Sequence, residues 1–180
     1  MLIGHGFGGS KNDVRAQAEK LAADGYAVLT WSARGFGKSS GEITLNAPDR
    51  EVRDVSALID WLADRPEVEL DAKGDPRVGV TGASYGGAIS LLAAGHDERV
   101  DAVAPLISYW NLSEALFPDG VFKALGRDLR HQRWRLRKFQ KQLCEMYERV
   151  ATSGNPTQPH VSCSPSVPRW PWPTVSTCPH

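Results

Sequence analysis

Ser84 stands in Gly82-Ala83-Ser84-Tyr85-Gly86-Gly87, one hydroxyl among small residues and a tyrosine. The apolar run Val78-Gly79-Val80-Thr81 precedes it, and Ala88-Ile89-Ser90-Leu91-Leu92-Ala93-Ala94 follows. The first run predicts a short buried strand and the second a helix. Ser84 would then occupy a strand-to-helix corner, and G-x-S-x-G at such a corner is the nucleophile elbow. The glycines have a steric reason. A sharp turn that brings strand and helix close leaves no room for side chains at Gly82 and Gly86. The serine Oγ would stand exposed above the strand end. The Tyr85 backbone N–H, at the helix start, would face a developing oxyanion with the helix dipole behind it. A serine hydroxyl also needs a base within hydrogen-bond reach. The competing reading is an ordinary glycine-rich turn.

A second oxyanion donor should come from the loop after an earlier strand. Met1-Leu2-Ile3 reads as strand and runs into Gly4-His5-Gly6-Phe7-Gly8-Gly9. The backbone N–H of Phe7 is the first candidate and that of Gly8 the second. His5 precedes the serine, whereas the usual order is serine, acid, histidine. It is expected to position the loop by bonding to backbone. His96 closes a helix and is expected at its cap or in solvent. His131 falls on a basic stretch, and His160 and His180 fall in a proline-rich tail. Asp97, Asp101 and Asp119 are expected to be solvated.

The elements that must hold these groups alternate. Asp13–Asp24 has helical spacing, with Val14, Ala18, Leu21 and Ala22 on one face, and Gly25 stops it. Tyr26–Trp31 (YAVLTW) is a near-continuous apolar strand, as parallel sheets prefer. Ser32–Gly41 is a loop. Pro48–Arg65 is the clearest helix, with Val52, Val55, Leu58, Ile59 and Leu62 in one stripe. A last strand runs through Val103–Ile107. Strands alternating with helices predict βαβ units, a parallel sheet and helices on both faces.

Length allows one domain with a sizeable core. Net formal charge is zero, so no acidic or basic partner is implied, yet the charge is divided unevenly. Residues 1–127 carry 13 Lys and Arg against 18 Asp and Glu; residues 128–180 reverse this, 8 against 3. No apolar run is long enough to span a membrane. No basic leader with an apolar segment opens the chain, which points to the cytoplasm. Cys144, Cys163 and Cys178 match no zinc or redox spacing. Residues 127–150 predict a basic amphipathic helix, with Leu129, Leu136, Phe139, Leu143, Met146 and Val150 as its stripe. Residues 151–180 hold seven prolines and predict a disordered, irregular tail. Such a change to Arg, Pro, Trp, Ser and Cys is what an out-of-frame reading of GC-rich DNA tends to give; a genuine but divergent C-terminus is the alternative.

Taken together, HGFGGSK, WSARGFGKSSG and GASYGG resemble the α/β-hydrolase superfamily. More closely they resemble its X-Pro dipeptidyl-peptidase-like and cocaine-esterase-like serine hydrolases, over roughly residues 1–125. The resemblance implies a partial α/β-hydrolase fold in residues 1–126, cut from an eight-stranded sheet. It also implies a Ser–Asp–His triad and cleavage of an ester or peptide bond in a small-molecule substrate, without metal or cofactor. Ser84 carries over as nucleophile, Phe7 and Tyr85 as oxyanion donors. Relatives often read D-x-R-G-x-G-x-S where Ser32 here takes the Asp place and Arg34, Gly35, Gly37 and Ser39 match. Arg34 is expected to be structural. The family's acid and histidine follow the serine, usually by more than a hundred residues; 96 residues follow Ser84 here, and none matches. Weak or absent activity is the expectation. In the family the four strands read here are adjacent, in the order second, first, third, fourth. Both edges of such a patch would be open to self-association.

Two other readings compete. Gly4–Gly9 also fits G-x-G-x-x-G and, with Arg34 to meet a 2′-phosphate, could imitate an NADP-binding Rossmann unit. That leaves GASYGG unexplained and supplies no acidic ribose ligand. The other is a non-catalytic fragment or binding module whose basic stretch meets an acidic partner; nucleic acid is not expected, because no recognition motif accompanies the charge. A P-loop is excluded at Gly35-Phe36-Gly37-Lys38-Ser39, since Ser32 stands where Walker A needs glycine.

Overall fold

A computed structural model describes residues 1–109, 111–120 and 138–153. Most of the basic stretch and all of the tail after Ser153, with His131, His160, His180, Cys163 and Cys178, lie outside the described residues. The chain divides into two compact units, Met1–Trp110 and Asn111–His180.

The first unit alternates strand and helix. Strand β1 is Leu2–Gly4 and helix α1 is Arg15–Ala23, entered through a 3-10 turn at Lys11–Val14. Ser10 starts that turn with a capping box: its Oγ accepts from Asn12 N–H, and Asp13 accepts from Ser10 N–H at 2.6 Å. Strand β2 is Leu29–Thr30 and helix α2 is Arg53–Ala63. A wide turn, Pro48–Val52, leads into α2, with proline at the first position, where its missing N–H costs nothing. An antiparallel hairpin follows, β3 (Leu70–Ala72) and β4 (Asp75–Pro76). Then come β5 (Val78–Ala83), α3 (Tyr85–His96) and β6 (Val100–Leu106).

Four strands form one parallel sheet in the order β2-β1-β5-β6. This is the adjacency that the family resemblance implies. Leu2, Val78 and Val80 share one core with Val52, Val55, Ile59 and Leu62 of the α2 segment and Ile89, Leu92 and Ala93 of α3. The predicted α2 stripe therefore faces the sheet, although Leu58 is only partly buried. Helix α1 buries no residue, and its predicted stripe packs into no core.

Three elements differ from the sequence expectation. The YAVLTW strand shrinks to Leu29–Thr30, which pairs in parallel with Leu2 and Ile3 of β1. The β3–β4 hairpin was not predicted; its flanks lack the alternation that marks a half-buried strand. The last strand begins at Val100 instead of Val103, and a register break opens it. Asp101 falls at that break, and its carboxylate accepts the Val78 N–H at 2.7 Å.

In the second unit, helix α4 (Leu112–Leu116) is capped by Asn111, whose Oδ1 accepts from Ser113 N–H at 2.9 Å. A further helix spans Lys141–Ser153. No helix among the described residues is long and apolar enough to cross a membrane.

Candidate active site

The strand-to-helix corner is built as its glycines predict. Ser84 has φ 55° and ψ −114°, a left-handed backbone that a side chain enters only under strain. The turn is held on both sides. Ser84 N–H donates to Leu106 O at 2.9 Å, and Ser84 O accepts from Ala88 N–H at 3.0 Å. A Cβ on Gly82 would lie 2.6 Å from Gly4 O and 2.6 Å from Gly86 C. One on Gly86 would collide with Gly4 O and lie 2.9 Å from His5 O. Neither position tolerates a methyl group, because the opposing atoms are backbone. Ala83 and Ser84 are exposed, whereas Tyr85, Gly86 and Gly87 are buried. The serine thus stands on the surface at the head of a buried helix. Tyr85 is the first helical residue, so its N–H has no intrahelical acceptor.

The Gly4–Gly9 loop flanks this corner: a Cβ on Gly6 would lie 3.8 Å from Ala83 O. Phe7 follows Gly6, half-exposed, with its ring edge-on to Tyr85 at 5.7 Å and to Phe36 at 5.4 Å. His5 is 2% exposed, and both its nitrogens are engaged by backbone. Nε2 accepts from Ala33 N–H at 3.0 Å, which leaves Nδ1 to donate to Gly6 O at 2.8 Å. A ring fixed in this way joins two loops and has no nitrogen left for Ser84. His96 is exposed at the far end of α3; at about 1.5 Å per residue, a helix of that length separates it from Ser84 by roughly 17 Å.

Beneath Tyr85 lies a buried network that the sequence reading missed. Glu51, 3% exposed, accepts from Thr44 N–H (2.7 Å), Ala47 N–H (3.0 Å), the Thr44 hydroxyl and the Tyr85 hydroxyl. Asn46 donates its side-chain amide to Tyr85 O at 3.1 Å and its backbone N–H to the Tyr85 hydroxyl at 3.2 Å. Leu45 and Asn46 both have positive φ, so the loop is bent to reach the helix. Burial, with the Glu51 charge beside it, pushes the Tyr85 phenol far above its ordinary range and keeps it a neutral donor. Burial also raises Tyr109, to about 12. No local pattern marked Glu51: Ala47, which begins its turn, is not a capping residue type, and Glu51 stands four positions on where a capping box needs three.

Arg34 makes a two-pronged ion pair with Asp54 on α2, at 2.7 and 2.6 Å. Its guanidinium is therefore engaged within the chain instead of open to a 2′-phosphate. Ser32 accepts from Lys11 N–H at 3.1 Å through its hydroxyl, and its carbonyl accepts from Ser39 at 2.7 Å. Asp97 departs from expectation. It is buried and held by the Arg99 guanidinium at 2.9 and 2.8 Å, which keeps its carboxyl at about 2. Asp101 and Asp119 are exposed.

The model of the X-Pro dipeptidyl-peptidase (S15) family matches residues 6–157. The chain belongs to that family. It is 34% identical to the quorum-quenching protein AidA of Acinetobacter baumannii over 136 residues, 72% of this chain and 43% of AidA. It is 29% identical to the thiohydrolase aneE of Aspergillus aculeatus, over 66% of this chain and 37% of that one. Its fold matches the crystal structure of the hypothetical protein PA2218 from Pseudomonas aeruginosa, with a TM-score of 0.55 and 26% identity. That match covers 86% of this chain and 44% of the other. The chain thus spans about two fifths of the length of these relatives.

Proposed function

We propose that the chain carries the nucleophile half of a serine hydrolase that cleaves an ester, thioester or amide. Ser84 is its nucleophile; the backbone N–H groups of Tyr85 and Phe7 are its oxyanion donors. The observation that carries this reading is the strained, exposed Ser84 at the head of a buried helix. Strain of that kind is kept where the surrounding structure enforces it, and here the backbones of Gly4, Gly82 and Gly86 do so. In the first step Ser84 Oγ would attack the carbonyl carbon while its proton passes to a base. The negative oxygen would face Tyr85 N–H, strengthened by the helix dipole. Collapse expels the alcohol, thiol or amine and leaves an acyl-serine, which water then cleaves. The thiohydrolase relative supports acyl transfer as the reaction class.

Neither His5 nor His96 can serve as the base, for the geometric reasons above, so no histidine among the described residues supplies it. Without a base, positioning and the oxyanion donors leave roughly 10³–10⁴-fold acceleration over water in a well-studied triad. The test is labelling of the purified chain with a fluorophosphonate, with Ser84→Ala as control. Labelling that disappears in the variant supports the reading. A folded chain that takes up no label, or equal label in both, removes Ser84 as a nucleophile.

A further inference from the structure

Ile107 is the most exposed large apolar residue of the described chain, at 93%, and it also has a strained backbone, φ 47°. Both features are unusual for a β-branched side chain, which meets its worst contacts in the left-handed region. Burial elsewhere in the chain does not account for the strain, since the side chain buries almost nothing. Its position is informative. In the β5–β6 register Leu106 lies opposite Ala83, so Ile107 follows at the level of Ser84. Leu106 O holds the Ser84 N–H, and the Ser108 hydroxyl donates to Ser84 O at 3.4 Å.

Two more exposed apolar side chains stand at the same end of the sheet: Leu106 at 49% and Phe7 at 43%. Three segments that meet there, beside the loop that carries Phe36, are Gly4–Gly9, Gly82–Gly87 and Leu106–Tyr109. None contains Asp, Glu, Lys or Arg. Their one histidine, His5, is buried and engaged by backbone. No carboxylate in these segments could pair with the free ammonium of a peptide; the nearby cations stand in the Ser32–Gly41 loop, where Arg34 is paired with Asp54 and Lys38 is exposed.

We infer that Phe7, Leu106 and Ile107 form an apolar rim around Ser84 that receives an uncharged alkyl or aryl group next to the scissile carbonyl. The substrate class is then an apolar ester or thioester, in preference to a peptide with a free amino terminus. Ile107 is the specificity-determining residue, held outward by its backbone. This inference rests on the reading of Ser84 above, and the experiment separates the two.

Ile107→Gly is the informative variant, because glycine relieves the positive φ and keeps the fold. Binding is measured first on the unreactive Ser84→Ala chain, by ligand-observed NMR with butyl, hexyl and octyl acetate. Full burial contributes about 0.8 kcal/mol per methylene, roughly fourfold in affinity. A rim that covers half the chain predicts about twofold per methylene, and Ile107→Gly should lose most of that dependence. The parent chain is then labelled with ethyl and octyl fluorophosphonates. Faster octyl labelling, levelled by Ile107→Gly, supports the rim. Affinity that does not rise with chain length, or a rise that Ile107→Gly leaves unchanged, overturns it. Length-dependent binding without any labelling keeps the rim and removes Ser84 as nucleophile; labelling with flat binding does the reverse.

Discussion

The two ends of helix α3 are held by different physics. At the N-terminal end, Ser84 to Gly87, backbone meets backbone. A Cβ on Gly86 would reach the carbonyl groups of Gly4 and His5, and the Tyr85 side chain is clamped by Asn46 and Glu51. At the C-terminal end, a Cβ on Gly95 would meet nothing within 4 Å. There the chain is secured by charge: Arg99 grips Asp97 and reaches Asp60 on α2 at 2.7 Å. Steric contact fixes position to tenths of an ångström, whereas an ion pair tolerates some slack. The end that needs an exact backbone is the one that bears the serine. The other end has only to return the chain to β6.

The comparison breaks most readily at Gly86. Gly86→Ala places a methyl against Gly4 backbone that cannot turn aside, so β1 or α3 must shift. Overpacking of that kind costs about 3 kcal/mol. A urea unfolding series should show that loss, together with loss of fluorophosphonate labelling. Stability within about 0.5 kcal/mol of the parent would mean that the corner is looser than its geometry implies.

This corner was also the most legible part of the sequence. The spacing Gly82-x-Ser84-x-Gly86 states a steric requirement that is local, so no distant residue is needed to read it. The sheet order followed from the family resemblance, and β2-β1-β5-β6 agrees with it. The network under Tyr85 was not legible. Glu51 lies beside the apolar stripe of its helix and would pass for a solvated charge. Only the folded chain brings Thr44, Ala47 and Tyr85 around it. Asp97 was misread for the same reason, since its burial depends on packing that a local pattern cannot carry. The observed β2 is the part that pairs with Leu2 and Ile3 of β1, a long-range contact that periodicity within YAVLTW does not express.

Asp97 tests the charged end. Its folded carboxyl sits at about 2, below the ordinary 3.8, because the Arg99 guanidinium and neighbouring hydrogen bonds favour the ionised form. The stabilisation is complete above about pH 4 and is lost as pH falls through 2. Asp97→Asn should cost about 1–2 kcal/mol at neutral pH and flatten the acid limb between pH 4 and 2. Thermal midpoints of both chains across that range check it. Parallel curves would mean that the pair contributes nothing, and the C-terminal end would need another anchor.

The smallest effect has the opposite sign. Gly95 is an exposed helical residue with open space where a Cβ would stand. Gly95→Ala restricts the unfolded chain without meeting a neighbour in the folded one. Alanine is favoured over glycine by up to about 1 kcal/mol in a helix interior. One residue from the helix end, about half of that is expected. In a chain of this size the gain is a rise of about 1–2 °C in thermal midpoint. The same methyl, nine positions along one helix, would then destabilise at Gly86 and stabilise at Gly95. A Gly95→Ala chain that melts lower than its parent would show hidden crowding at the far end. The contrast between a sterically fixed head and a charge-tethered tail would then fail.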